Sequence, residues 1–205
     1  MFITFEGPEG SGKTTIANIV IKRLEDQNLP VIYTREPGGS QIAEQIRKIL
    51  LKRNNVSMDK LTEALLFAAS RRQHLVEKVI PALNEGKIVI CDRFIDSSLA
   101  YQGYARDIGI QEVLNINLFA TKGMLPDLTI YFDIDSEIGL SRIDQDNKRE
   151  VNRLDLERLE FHKRVRNGYL ELLKLYPDRI VKIDASKSIE EVSEEVIKII
   201  LAKLG

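Results

Sequence analysis

Five short runs of nearly continuous apolar residues punctuate the chain: Phe2 to Glu6, Val31 to Thr34, Lys87 to Asp92, Leu128 to Asp133 and Arg179 to Ile183. They are rich in Ile, Val, Phe and Tyr and do not alternate with polar residues, which predicts strands covered on both faces by helices. Longer stretches with a helical period lie between them. Thr14 to Gln27 sets Ile16, Ile19, Val20 and Leu24 on one stripe, and Met58 to Asn84 is similarly periodic until Gly86 stops it. A last stretch repeats apolar residues at Ile189, Val192, Val196, Ile199 and Ile200 behind Ser188-Ile189-Glu190-Glu191, which reads as a capping box. Five β-then-α units predict a three-layer α/β fold with a parallel sheet and right-handed crossovers. In such sheets ligands gather beyond the carboxyl ends of the strands. One stretch breaks the pattern: Asp144 to Asn152 is almost wholly polar and sits between two helical segments. A solvated loop and a lid that carries charge over a bound substrate both fit it.

Composition narrows the class. At 205 residues, 43% hydrophobic and 30% charged, the chain suits one globular domain spanning 1–205. Lys+Arg 30 against Asp+Glu 31 argues against a basic nucleic-acid arm, an acidic tail or a polybasic membrane anchor. No apolar run approaches the roughly 18 residues of a membrane span. Phe2 to Phe5 is too short for a signal-peptide core and has no basic segment ahead of it. The single cysteine, Cys91, excludes an internal disulfide, and two scattered histidines leave no zinc constellation. A cytoplasmic protein that engages neither nucleic acid nor membrane is expected.

The chemistry starts after the first run, where Gly7-Pro8-Glu9-Gly10-Ser11-Gly12-Lys13-Thr14 matches G-x-x-x-x-G-K-[ST] at every fixed position. Glycines let successive backbone N–H groups turn inward around a phosphate where a side chain would collide. The helix that opens at Thr14 and Thr15 offers its N-terminal amides to an anion. Lys13 supplies a point charge to the β/γ-phosphates and Thr14 a hydroxyl to Mg²⁺. This establishes nucleoside triphosphate binding and leaves kinase, switch and ATP-driven machine open. Asn147-Lys148-Arg149-Glu150 resembles a guanine-reading N-K-x-D, but it ends in Glu and follows no apolar strand.

Further groups fall at the same sheet edge. The second run ends in Thr34-Arg35-Glu36-Pro37-Gly38-Gly39, which alone is an ordinary turn but places Arg35 and Glu36 at a strand's carboxyl end. The third delivers Asp92 at its tip, the Walker-B placement in which a carboxylate holds Mg²⁺ or its water shell, and Arg93 beside it can grip a phosphate with a bidentate fork. A buried Asp–Arg pair serving only the fold is the alternative. Phe67 and Arg71 lie four apart on a helical stretch, as do Ser98 and Gln102. A flat aromatic, a donor-only guanidinium and an amide make a base-reading set, although a core Phe and a solvated Arg71-Arg72 face fit the spacing as well.

Taken together, Phe5-Glu6-Gly7, Thr34 to Gly39, Phe67 to Arg72, Asp92 to Gly103 and Pro126-Asp127-Leu128-Thr129 resemble the thymidylate kinase family, in its bacterial form, along essentially the whole chain. The resemblance implies a five-stranded P-loop kinase fold, a homodimer, and phosphoryl transfer from MgATP to dTMP, giving dTDP and ADP. It implies that Phe67 stacks on thymine, Arg71 donates to O4, Gln102 pairs with the N3 edge and Ser97 and Ser98 support them. It assigns the acceptor phosphate to Arg47 and Arg93. Glu36, Glu9 and Asp92 take the sugar hydroxyl and the metal's water shell, and Tyr101 crowds the ribose 2′ position. Two departures stand out. Phe94 replaces a more usual Tyr, which withdraws one hydroxyl contact. Gly10 stands where some members carry a P-loop arginine, so the missing charge is expected from a lid around 142–154, with Arg153 the best match and Arg149 second. The residue pattern leaves two other readings: a P-loop kinase for another small acceptor such as a deoxynucleoside, and a non-kinase ATP-binding switch.

Overall fold

A computed structural model of the chain describes residues 1–145 and 153–205. The five apolar runs are strands: β1 (Phe2–Glu6), β2 (Val31–Arg35), β3 (Ile88–Asp92), β4 (Leu128–Asp133) and β5 (Ile180–Asp184). They form one sheet in the order β2-β3-β1-β4-β5, every pair parallel. Successive strand residues leave by opposite faces, and both faces are covered, which is why the runs are apolar at most positions. Phe2, Val89 and Cys91 enter one core cluster with Phe94, Leu99, Tyr131 and Val165, while Ile3, Ile90, Ile130 and Phe132 enter another with Ile16, Val20, Leu24 and Val196. Each fully buried side chain of this kind contributes about 1.5–3 kcal/mol.

The helices cover both faces: α1 (Lys13–Glu25), α2 (Gln41–Leu51), α3 (Lys60–His74), α4 (Ile80–Asn84), α5 (Ile95–Ser98), α6 (Ile110–Thr121), α7 (Ser136–Gln145), α8 (Leu159–Leu175) and α9 (Ile189–Leu204). The capping box at Ser188 and Glu191 is formed. The predicted stretch from Met58 to Asn84 is one path with a wider turn inside it. Leu75–Val79 winds as π-helix just ahead of Pro81, whose missing N–H and ring bulk break a regular i→i−4 ladder. A second π-turn, Leu99–Ala105, continues α5.

Chain order places the site. From β1 the chain crosses to β2, returns to β3 and then passes β1 to reach β4, so the strand order reverses beside β1. There the carboxyl ends of β1 and β3 lie side by side, with Phe5 in register with Asp92. That switch point is where an open parallel sheet presents its crevice.

Candidate active site

The loop between β1 and α1 is held from behind by backbone. Gly10 has φ +72, and a Cβ there would lie 2.0 Å from the carbonyl oxygen of Gly139 on α7; a Cβ on Gly139 would lie 2.4 Å from the carbonyl of Glu9. No side chain fits at this crossing, so the arginine that some relatives of this pattern carry at Gly10 has no room. Lys13 folds over the loop and donates to Gly7 O, Pro8 O and Ser11 Oγ, each at 3.1 Å. Burial, with Arg93 adding to it, pushes its pKa down to about 8 against the pull of Asp92, Glu9 and Glu6.

Asp92 ends β3 beside this loop. Its Oδ2 accepts from Thr14 Oγ1 at 3.3 Å and Tyr33 OH at 3.2 Å. Its Oδ1 is buried and has no partner among the described residues. An unsatisfied carboxylate oxygen next to a P-loop threonine is a donor set that suits Mg²⁺ and its waters. Arg93 follows in a left-handed conformation, φ 69, which is uncommon outside Gly and Asn. Its backbone N–H reaches Phe5 O, and Cys91 Sγ donates to its carbonyl at 3.1 Å. Glu6, fully buried beneath the turn, accepts from Phe94 N–H at 2.7 Å and from Ser97 and Tyr169 hydroxyls. Burial, then Asp96 nearby, raise the Glu6 pKa to about 7. The strained turn aims the Arg93 guanidinium at Gly7 O and Glu9, both at 2.7 Å, with Tyr101 under it.

On the other side stands Arg71, 1% exposed. Its Nε donates to Glu36 at 2.7 Å, Nη1 to Ser98 Oγ at 3.0 Å and Asn117 Oδ1, and Nη2 to Phe94 O at 2.8 Å. Four of the five guanidinium N–H groups are so used, and one on Nη2 is left. The second Glu36 oxygen meets His74 Nδ1 at 2.8 Å. Each oxygen of Glu36 thus holds one partner, which orients Arg71, and the carboxylate lines the cleft. Phe94 is fully buried, edge-on to Phe2 and beneath Arg71, so the hydroxyl it lacks would have had no solvent to meet. Arg47 donates to Pro37 O at 2.7 Å.

A cleft of about 990 Å³ joins these groups. It takes in Glu9 to Thr15, but not the expected Gly7 and Pro8, which are buried behind the loop, together with Asp92, Arg93 and all the acceptor-side residues expected from sequence: Glu36, Arg47, Phe67, Arg71, Ser97, Ser98, Tyr101 and Gln102. Arg153 is different. It is 4% exposed, does not line the cleft, and donates to Leu50 O at 2.9 Å and to Glu63. The expectation that it stands at the transferring phosphoryl group is not met in this arrangement, because the nearest buried carboxylate claims its charge. Arg149, the decoy at Asn147 to Glu150 and the middle of the expected lid lie outside the described residues. Sequence reading missed Tyr33 and, at the P-loop end, Arg142, Ala185, Lys187, Ile189 and Val192. The usable signal was the carboxyl-edge rule applied to β5, since the loop after it supplies Ala185 and Lys187 and the start of α9 supplies Ile189 and Val192.

A phosphate-binding loop, a Walker-type carboxylate and a second, polar pocket in one cleft define a P-loop phosphotransferase with two substrate ends. The thymidylate kinase family model matches residues 5–196, and the chain belongs to that family. It is 64% identical over 195 residues to the thymidylate kinase of Clostridium novyi, covering 95% of each chain. It is 61% identical to that of Anoxybacillus flavithermus, covering 96% of this chain and 94% of the relative. The crystal structure of thymidylate kinase from Ehrlichia chaffeensis superposes with a TM-score of 0.80 at 38% identity, covering 98% of both chains.

Proposed function

We propose that this cleft transfers the γ-phosphoryl group of ATP to dTMP, giving dTDP and ADP. The observation that carries the reading is continuity: phosphate-gripping amides and a base-reading pocket open into one space with Arg93 between them. The ATP phosphates lie along Gly10 to Thr15, where Lys13 exchanges its carbonyl partners for β/γ oxygens. The donor base lies toward Arg142 and the β5–α9 loop. Thr14 and Asp92 hold Mg²⁺ largely through water and phosphates, and the ion neutralises charge on the phosphates when bound. Arg47 and Arg93 hold the dTMP phosphate, one oxygen of which attacks the γ-phosphorus as ADP leaves. Glu9, tied to Arg93 and Tyr101, faces the sugar. Phe67 stacks on the base, and Arg71, Ser98 and Gln102 read its edge.

The protein works as a homodimer in the cytoplasm; no described helix is long and apolar enough to cross a membrane. The homodimer accounts for exposed apolar residues on α3 and α6, which pack against each other: Leu61, Leu65 and, at 90% exposure, Phe119.

ADP release from MgATP, followed with each nucleoside and nucleotide in turn, tests the function. Acceleration by dTMP alone is expected. Acceleration by thymidine but not dTMP would make it a nucleoside kinase, and indifference to both an ATP-binding switch.

A further inference from the structure

A carboxamide has two orientations of the same shape and opposite chemistry, so Gln102 reads a base edge only if something chooses between them. Gln102 is 1% exposed and lines the cleft on the π-turn after α5. Its Nε2 donates to Glu63 Oε1 at 2.8 Å. Glu63 is also 1% exposed, and an ionised carboxylate only accepts, so it can face nothing but the NH₂ side of that amide. Two arginines hold the carboxylate in place: Arg106 spans both oxygens at 3.4 Å, and Arg153 donates to Oε2 from the far side. Burial works to raise the Glu63 pKa, but Arg106, the Gln102 amide and Arg153 outweigh it and hold it below the ordinary carboxylate range.

We propose that Glu63 is the positioning residue for pyrimidine selection: by taking the N–H side of Gln102 it turns the Oε1 carbonyl to the base, setting an acceptor beside the Arg71 donor. This rests on the dTMP reading. Thymine offers an N3–H donor and an O4 acceptor, which match that order. Cytosine offers an N3 acceptor and an N4 amino donor, so both contacts clash, each at a loss of about tenfold or more. The function then assigned to Arg153 is to anchor this carboxylate between α2 and α3.

The test compares kcat and KM for dTMP and dCMP with MgATP. If the wild type does not phosphorylate dTMP, the functional reading fails, whatever Glu63 does. Given turnover, Glu63→Met should raise the KM for dTMP about tenfold or more with a smaller change in kcat, and lower the dTMP-to-dCMP preference by a similar factor. Glu63→Gln, which still presents a carbonyl to Gln102, should keep that preference within about threefold of wild type. A folded Glu63→Met protein with KM and preference unchanged overturns the proposal. A second readout needs no folded variant: in ¹⁵N-labelled wild type one Gln102 side-chain NH₂ proton, bonded to Glu63, should resist exchange with solvent in the free protein and still do so when dTMP is added. If neither NH₂ proton is protected before dTMP is added, the NH₂ side faces the open cleft and the proposal fails.

Discussion

Lys13 shows how a site can be poised by desolvation. In the free protein its ammonium is satisfied by two carbonyls and a hydroxyl, yet burial, seconded by Arg93, brings its pKa down to about 8. Triphosphate restores favourable charge, so binding should draw a proton onto the amine. Calorimetric titration with ATP at about pH 8.5, in buffers of different ionisation enthalpy, should show uptake of up to about one proton that Lys13→Met abolishes. Equal heats in all buffers would contradict it. The sign also sets a stability trend: the folded pKa lies below that of the unfolded chain, so the unfolded state holds the extra proton between about pH 8 and 10.5. Over that window Lys13 contributes a rise in stability as pH increases.

Among elements, the informative contact is between the phosphate loop and α7. Gly10 and Gly139 bring two backbones together where neither tolerates a Cβ. Gly139 sits in an ordinary helix, so its replacement tests the approach rather than the conformation. Gly139→Ala should push α7 off the loop and raise the KM for ATP about tenfold, with a smaller effect on that for dTMP. Gly86→Ala is the control, since a Cβ there meets nothing within 4 Å but must adopt φ +76. It should lower Tm through strain of about 1 kcal/mol and leave both KM values alone.

For the whole molecule the question is what covers α3 and α6. Phe119 is 90% exposed, beyond two half-exposed leucines. Light scattering behind gel filtration should give twice 23.4 kDa for the wild type, and Phe119→Lys should shift it toward 23.4 kDa. A wild-type monomer would remove the homodimer from the proposal without touching the cleft.

Much of this molecule is written locally. Strands covered on both faces by helices are apolar at most positions, so all five could be found within a residue or two of their ends. A loop that binds phosphate with its own amides needs glycines at set spacings, so Gly7 to Thr14 declared itself. The carboxyl-edge rule likewise collected Arg35, Glu36, Asp92 and Arg93. What the chain did not disclose is allocation. Phe67 and Arg71 share a helix face by spacing alone, but only packing gives Arg71 four acceptors from separate elements. Gln102 and Glu63 are 39 residues apart, and Arg153 and Glu63 are 90 apart. Periodicity and turn chemistry act over a few residues and are read in one dimension. Which buried carboxylate holds which guanidinium depends on where the sheet and helices bring them, and that is settled only when the core has closed.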